Sequence, residues 1–149
     1  MRFNHALAFV ALFGAAALFS GCGNDENTDL FTLHVPVTSQ TAPATTADVK
    51  FEIVLTNNTA SALDLTWDRT VNNIPRQEGW LTAFCDNELC YPPTTNTNTF
   101  TVAANATDTL SFHYYPNGFV GTGTATVEIF QTTDRAGTMQ SVTTDLTTN

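Results

Sequence analysis

Strict alternation of apolar and polar residues is the feature that most constrains this fold. Between Val49 and Leu55 every second residue is apolar, and Asp48, Lys50 and Glu52 take the other phase. Successive side chains of a strand point to opposite faces, so this pattern predicts a strand with one buried and one solvated face. The same alternation recurs at residues 31–37, 63–67, 80–85, 100–102, 110–115, 124–129 and 142–146.

These segments predict an all-β domain over residues 30–149. Turn-forming residues separate seven or eight short strands, and this spacing is typical of an antiparallel sandwich or barrel. Gln40–Ala47 is predicted to be a loop, and the turn at Asn57–Ser61 predicts a hairpin between its flanking strands. We therefore expect an immunoglobulin-like antiparallel β-sandwich, with an N-terminal signal helix and no further helix.

The amino terminus has the features of a secretory signal peptide. Arg2 precedes the apolar run Ala6–Phe19, and small residues follow before Cys22. The run is too short to span a bilayer, which takes about 20 apolar residues. Phe19-Ser20-Gly21-Cys22 resembles a bacterial lipobox. That resemblance implies a signal peptide over residues 1–21, acylation of Cys22 by a fatty acid such as palmitate, and a flexible tether over residues 22–29. The alternative is an ordinary signal peptide with an incidental cysteine.

The residues after the cysteine bear on localisation. Gly23 stands where the inner-membrane retention signal of enterobacterial lipoproteins has Asp, and Asn24-Asp25-Glu26 resembles the acidic tether of some surface lipoproteins of Bacteroidota. These resemblances imply a lipid anchor in the outer membrane of the cell envelope, with the domain either periplasmic or surface-exposed.

The charge balance excludes one class of partner. Asp and Glu total 14 against 5 Lys and Arg, for a net charge of −9. Binding to nucleic acid needs clustered cations, so no nucleic-acid partner is expected. Adhesion to anionic lipid is disfavoured for the same reason, and membrane attachment would fall to the anchor.

Two cysteines remain for the domain once Cys22 is assigned to the lipobox. In an oxidising compartment, Cys85 and Cys90 are expected to form a disulfide. Their spacing differs from the Cys-x-x-Cys of redox-active pairs, so a structural bond is favoured. Asp86 and Glu88 between them could contribute to a calcium site, but the expectation is a solvated acidic turn.

A longer segment resembles a family. Leu63-Asp64-Leu65-Thr66-Trp67, followed by Trp80 and by Cys85-Asp86-Asn87-Glu88-Leu89-Cys90-Tyr91, is similar to immunoglobulin-like domains of exported Bacteroidota proteins. The resemblance covers roughly residues 51–93 and implies the fold and export. It implies no activity.

Aromatic residues supply the candidate binding surface. Trp67 is in phase with Leu63 and Leu65 and is expected in the core. Trp80, Tyr91 and Tyr115 could form an exposed patch that marks a binding site. The alternative is that loops cover these rings and seal one end of the sandwich.

Catalytic and metal motifs are missing from the sequence. There is no Gly-x-Ser-x-Gly elbow, and the spacing of His34 and His113 from the cysteines does not match a cupredoxin copper site. Both histidines are expected on the surface. We therefore expect no catalytic residue, no metal and no cofactor.

The function predicted on this basis is that of a lipid-anchored, non-catalytic envelope module with a structural, assembly or adhesion role. Its partner would be an envelope protein or glycan. The alternative is a carbohydrate-binding surface module, and a small hydrolase has less support.

Overall fold

Two β-sheets packed face to face form the domain. The computed structural model describes residues 29–149, so the predicted signal peptide, Cys22 and nearly all of the tether lie outside the described residues. The strands are β1 Phe31–His34, β2 Ser39–Ala42, β3 Val49–Asn57, β4 Leu63–Asn73, β5 Leu81–Cys85, β6 Thr97–Val102, β7 Thr107–Tyr115, β8 Gly121–Gln131 and β9 Gln140–Thr148.

One sheet has four strands and the other has five. The first, called sheet A, has the order β1-β3-β7-β5, and the second, sheet B, has the order β2-β9-β8-β4-β6. Every neighbouring pair is antiparallel except β2 with β9. The predicted immunoglobulin-like β-sandwich is confirmed. The described residues form nine strands rather than the predicted seven or eight, and β2 is the additional one.

The core lies between the sheets and follows the predicted phases. The alternate apolar residues of β3 are buried, whereas Lys50 and Glu52 are exposed. Trp67 is fully buried as expected, and its ring centroid lies 4.8 Å from that of Phe84. Apolar burial of this kind stabilises the fold by roughly 25 cal/mol per Å² removed from water.

Strand β2 corrects the prediction of a loop at Gln40–Ala47. Its polar sequence carries no alternation, yet Ser39–Ala42 pairs in parallel with β9. Backbone hydrogen bonding at the edge of sheet B forms this strand, and side-chain burial contributes little. Such an edge strand leaves no periodic signal in the sequence.

The predicted hairpin between β3 and β4 is wrong. The two strands lie in opposite sheets, so the connection between them crosses the sandwich. Asn57 holds this connection, since its Nδ2 donates to the carbonyls of Ser61, Val102 and Ala103 at 2.9–3.2 Å. The same apolar face of each strand is buried whether the strands form a hairpin or lie in opposite sheets. Alternation alone therefore cannot distinguish the two connections.

In the part of the chain that the structure describes, helix is confined to single turns. A 3-10 turn spans Arg76–Glu78, and α1 spans Arg135–Thr138. The Asp134 carboxylate accepts from the backbone N–H of Gly137 at 3.0 Å and caps α1. Among residues 29–149, no helix is long and apolar enough to cross a membrane.

Candidate functional site

The structure does not assemble the predicted aromatic patch. Trp80 is 0% exposed, and its indole N–H donates to the Phe119 carbonyl at 3.0 Å. Because Trp80 precedes β5 in the inward phase of Thr82 and Phe84, its ring enters the sandwich. The prediction of an exposed Trp80 is therefore wrong, and the alternative, a covered ring, describes it.

Tyr91 and Tyr115 have surroundings that differ from those of Trp80. Tyr91 is half-buried, and its ring centroid lies 5.3 Å from that of Trp67. Burial is the main cause that raises the pKa of Tyr91 to about 12, and the nearby Asp86 carboxylate contributes further. Tyr115 stacks on His113 at 6.3 Å on the outer face of sheet A. The three rings do not share one surface.

The predicted disulfide is present and closes a tight turn. Cys85 and Cys90 are bonded, and the Asp86 N–H donates to the Leu89 carbonyl at 3.0 Å. Asp86 is buried rather than solvated, which corrects the expectation of an acidic surface turn. One of its oxygens accepts from the backbone N–H of Leu89 at 3.0 Å, and the other accepts from the Trp67 indole at 3.2 Å. Asp86 is thus a structural acceptor for the turn.

Next to this turn, the outer face of sheet A holds a polar group that we call the outer-face cluster: Asp48, Cys85, Cys90, Ser111 and His113. Ser111 lies opposite Cys85 across the β5–β7 ladder. The Ser111 hydroxyl is 2.9 Å from His113 Nε2, and His113 Nδ1 is 2.9 Å from the Asp48 carboxylate. The sulfur atoms of the disulfide and a ring nitrogen of His113 all lie within 4.8 Å of one another.

The serine, histidine and aspartate of this cluster have the order of a hydrolytic triad, but the surroundings do not suit catalysis. Ser111 is 6% exposed, within the central strand pairing of sheet A. A nucleophile needs a substrate carbonyl within about 3 Å and donors for the oxyanion. Ser111 is buried and hydrogen-bonded to His113, so the arrangement supports a structural hydrogen-bond chain.

A cavity of about 380 Å³ opens between β4 of sheet B and β5 of sheet A. We call it the arginine cavity, after Arg69 and Arg76. Its other lining residues are the polar Asn72, Thr82, Thr94 and Asn96 and the apolar Ile74, Trp80, Leu81 and Pro93. Its volume is within the range of small-molecule sites, and none of these lining residues is acidic.

Arg69 is the buried charge at the base of this cavity. It is 7% exposed, and within the described residues its hydrogen bonds all go to uncharged oxygens. Nη1 donates to the carbonyl and hydroxyl of Thr82 at 2.9 Å, and Nη2 donates to the carbonyl of Thr95 at 2.9 Å and to the side chain of Asn96 at 2.8 Å. Burying a charge without a counter-ion is costly, and fixed dipoles offset only part of that cost.

Positive charge therefore accumulates at the cavity. Burial, and then the charge of Arg76, lower the pKa of Arg69 below its ordinary value. Within residues 29–149, the ion pairs involve Lys50, His113 and Arg135 and leave both cavity arginines without a carboxylate. Arg76 is exposed, and its one side-chain hydrogen bond is to the Asn72 carbonyl at 3.5 Å. A site with this charge and these walls can bind an anion.

Sequence reasoning overlooked both groups, although signals were present. Arg69 continues the inward phase of Leu65 and Trp67. A cationic residue at an inward-facing strand position indicates a buried charge that needs polar partners. His113 lies in the outward phase of β7 as predicted, although its side chain is only 13% exposed, and Ser111 shares that phase. Only strand pairing places His113 beside Cys85.

Comparisons with known proteins agree with the fold. No protein-family model and no curated protein matches the sequence. The N-terminal domain of PorA superposes with a TM-score of 0.57 at 16% identity, over 79% of this chain and 98% of that domain. The CooA pilin subunit from enterotoxigenic Escherichia coli gives 0.52 at 10% identity, over 80% of this chain and 99% of the pilin.

A family 123 glycoside hydrolase from Clostridium perfringens gives a TM-score of 0.51 at 9% identity. That match covers 80% of this chain and 27% of the hydrolase. At these identities the likeness concerns the fold alone.

Proposed function

We propose that this protein is a lipid-anchored, non-catalytic module of the bacterial outer membrane that binds a ligand at the arginine cavity. The observation that carries the binding role is a pair of arginines that, within residues 29–149, have no carboxylate partner and lie at one cavity of a protein with net charge −9. The likeness to whole domains, a pilin subunit among them, supports a module that works without catalysis. The covered Ser111 supports the same view.

The lipobox-like segment before Cys22 supports the anchor. Cys22→Ser should leave uncut precursor and abolish labelling by a fatty-acid probe, because the thiol is the acylation site in lipoproteins of this kind. Labelling that persists in the variant would disprove the anchor.

Gly23 after the cysteine, together with the acidic tether, supports the outer membrane. Fractionation of the envelope should place the mature chain there. Protease treatment of intact cells then separates the two orientations, since a surface-exposed domain is cleaved and a periplasmic domain is cleaved only after lysis. Recovery from the inner membrane would contradict this localisation.

Carbohydrate binding is the second candidate, and the chemistry of the arginine cavity favours it. Arg76 is placed to donate to a carboxylate, and Arg69 supplies charge but has no donor to spare. Leu81 and Pro93 offer an apolar wall for the C–H face of a sugar ring. The ligand class that fits is a glycan containing a uronic acid.

Titration of the detergent-solubilised protein with glucuronate and with glucose, followed by NMR, tests this class. We expect about a tenfold preference for glucuronate, as one charge-assisted contact provides about 1.4 kcal/mol. Arg76→Gln should abolish the preference. Lys50→Gln is the matched control, because Lys50 is paired with Glu52 at 2.8 Å on the outer face of sheet A.

Equal affinity for both sugars in the wild type would disprove a uronic-acid site, as would a preference retained in Arg76→Gln. A carboxylate on a protein partner would instead show as binding of an acidic peptide that Arg76→Gln weakens, which would favour the assembly role.

A further inference from the structure

We propose that reduction of the Cys85–Cys90 disulfide opens a binding site for copper(I), with the two thiolates and the His113 imidazole as ligands. This site lies on the outer face of sheet A and is independent of the arginine cavity. The observation that carries it is the proximity of both sulfur atoms to a ring nitrogen of His113, all within 4.8 Å of one another.

The spacing of the donor atoms suits one metal ion. Three donors bound at about 2.0–2.3 Å from a shared ion stand roughly 3.5–4 Å apart. Once the sulfur–sulfur bond is broken, the sulfurs can separate to that distance, and the histidine needs to approach by about 1 Å. A rotation of the Cys90 side chain, which lies in an exposed turn position, can supply such a shift.

His113 is already oriented by a carboxylate. Its Nδ1 lies 2.9 Å from Asp48, so Nε2 is left to face Ser111, the residue opposite Cys85 in the ladder. Metal-binding histidines commonly hydrogen-bond a carboxylate through the second nitrogen, which fixes the ring and raises its basicity. Copper would replace the Ser111 hydroxyl as the partner of Nε2.

The donor set selects the metal. Thiolates are soft ligands that favour copper(I) and zinc, while structural zinc takes four protein ligands. Within residues 29–149, this site brings together three metal-binding side chains, those of Cys85, Cys90 and His113. Three-coordinate copper(I) fits two sulfurs and one nitrogen.

A dithiol can reduce the Cys85–Cys90 disulfide in a balanced reaction. A dithiol thiolate attacks the sulfur of Cys90, which is exposed, and releases the Cys85 thiolate. Its second thiol then resolves the mixed disulfide. Two electrons and two protons pass from the dithiol to the cysteines, and copper(I) displaces the two thiol protons when it binds. Copper keeps its oxidation state throughout.

Copper(I) competition with a chromophoric chelator tests the site. The full chain carrying Cys22→Ser is used, so that Cys85 and Cys90 are its only thiols. After reduction by a dithiol and its removal, we expect one copper(I) per chain. The oxidised protein should bind at least tenfold more weakly. His113→Ala should lower the affinity of the reduced protein at least tenfold, and His34→Ala, at an exposed position on β1, should leave it unchanged.

X-ray absorption at the copper edge gives a readout that does not depend on a variant's folding. The reduced wild-type protein should show two sulfur ligands and one imidazole nitrogen. A spectrum with sulfur ligands alone would overturn the proposal. Equal affinity of reduced wild type and His113→Ala, or of reduced and oxidised wild type, would also overturn it.

Discussion

Arg69 and His113 show two ways in which this sandwich holds a polar side chain. Arg69 points between the sheets and bonds to uncharged oxygens alone, whereas His113 points outward and bonds to the Asp48 carboxylate. Three of the five oxygens around Arg69 are backbone carbonyls, those of Thr82, Pro93 and Thr95, which cannot change without a change in the fold. The other two are side-chain oxygens of Thr82 and Asn96. The partners of His113 are side chains, which can exchange. The arginine cavity is therefore a rigid site, and the outer-face cluster is an adaptable one.

Removal of the Arg69 charge should have the largest effect on stability. Arg69→Met keeps much of the side-chain volume but leaves the carbonyls of Thr82 and Thr95 without this donor. Each unpaired buried carbonyl costs about 1–3 kcal/mol, so the free energy of unfolding should fall by about 3–5 kcal/mol in total. Denaturation by guanidinium measures the loss.

Arg135→Met is the matched control for that experiment. Arg135 pairs with Asp68 and Glu128 on the surface, and exposed ion pairs contribute about 0–1 kcal/mol. A loss of less than 1 kcal/mol in Arg69→Met would show that Arg69 is as replaceable as a surface arginine, and the contrast between the two regions would fail.

Loss of the disulfide should rank second. The double change Cys85→Ala and Cys90→Ala should lower the free energy of unfolding by about 1–3 kcal/mol, because the ring is small and the loop entropy it removes is limited. The domain should stay folded, since the core between the sheets does not include this bond. Thermal unfolding followed by circular dichroism measures the effect. Reduced wild type is the control, and an unfolded double variant at room temperature would contradict the prediction.

A methyl group at Gly123 should perturb the arginine cavity. The added Cβ would lie 2.9 Å from Ile74 and 3.0 Å from the Trp80 ring, and both residues line that cavity. Gly123→Ala should therefore cost about 1–2 kcal/mol through overpacking and weaken any ligand binding there. Tryptophan fluorescence and chemical denaturation report the two effects.

Gly121→Ala is the comparison for that variant. Its added Cβ would lie 2.9 Å from Pro75, which does not line the arginine cavity. A larger loss of stability in Gly121→Ala than in Gly123→Ala would argue against a rigid cavity wall.

The smallest effect is expected at the outer-face cluster. Asp48→Asn keeps a hydrogen-bond acceptor for His113 and removes the charge, and the Asp48 side chain is 43% exposed. The free energy of unfolding should fall by about 0–1 kcal/mol, and by less at high salt, because solvent and ions screen such pairs. Urea denaturation at two salt concentrations measures it. A loss as large as that in Arg69→Met would make the cluster part of the rigid framework.

Alternation predicted most of the strands because burial of one face dictates it. The inward phases of β3, β4 and β7 were assigned correctly from their apolar residues. Strand β2 was missed, since Ser39–Ala42 depends on backbone pairing with β9 and buries little. Alternation also does not predict which strands pair with each other, as the wrong hairpin between β3 and β4 shows. Period-two patterning specifies a face but not a neighbour.

Some features of the candidate sites follow from the sequence alone, and others depend on the tertiary structure. The sequence by itself determined the disulfide, the outward phase of His113 and the buried phase of Trp67, because cysteine count and alternation act locally. Tertiary structure alone decided that His113 lies beside the sulfur atoms and that Arg69 and Arg76 meet at one cavity. Those contacts join β5 to β7 and β4 to β5, and they depend on strand order and sheet packing, which local alternation does not specify.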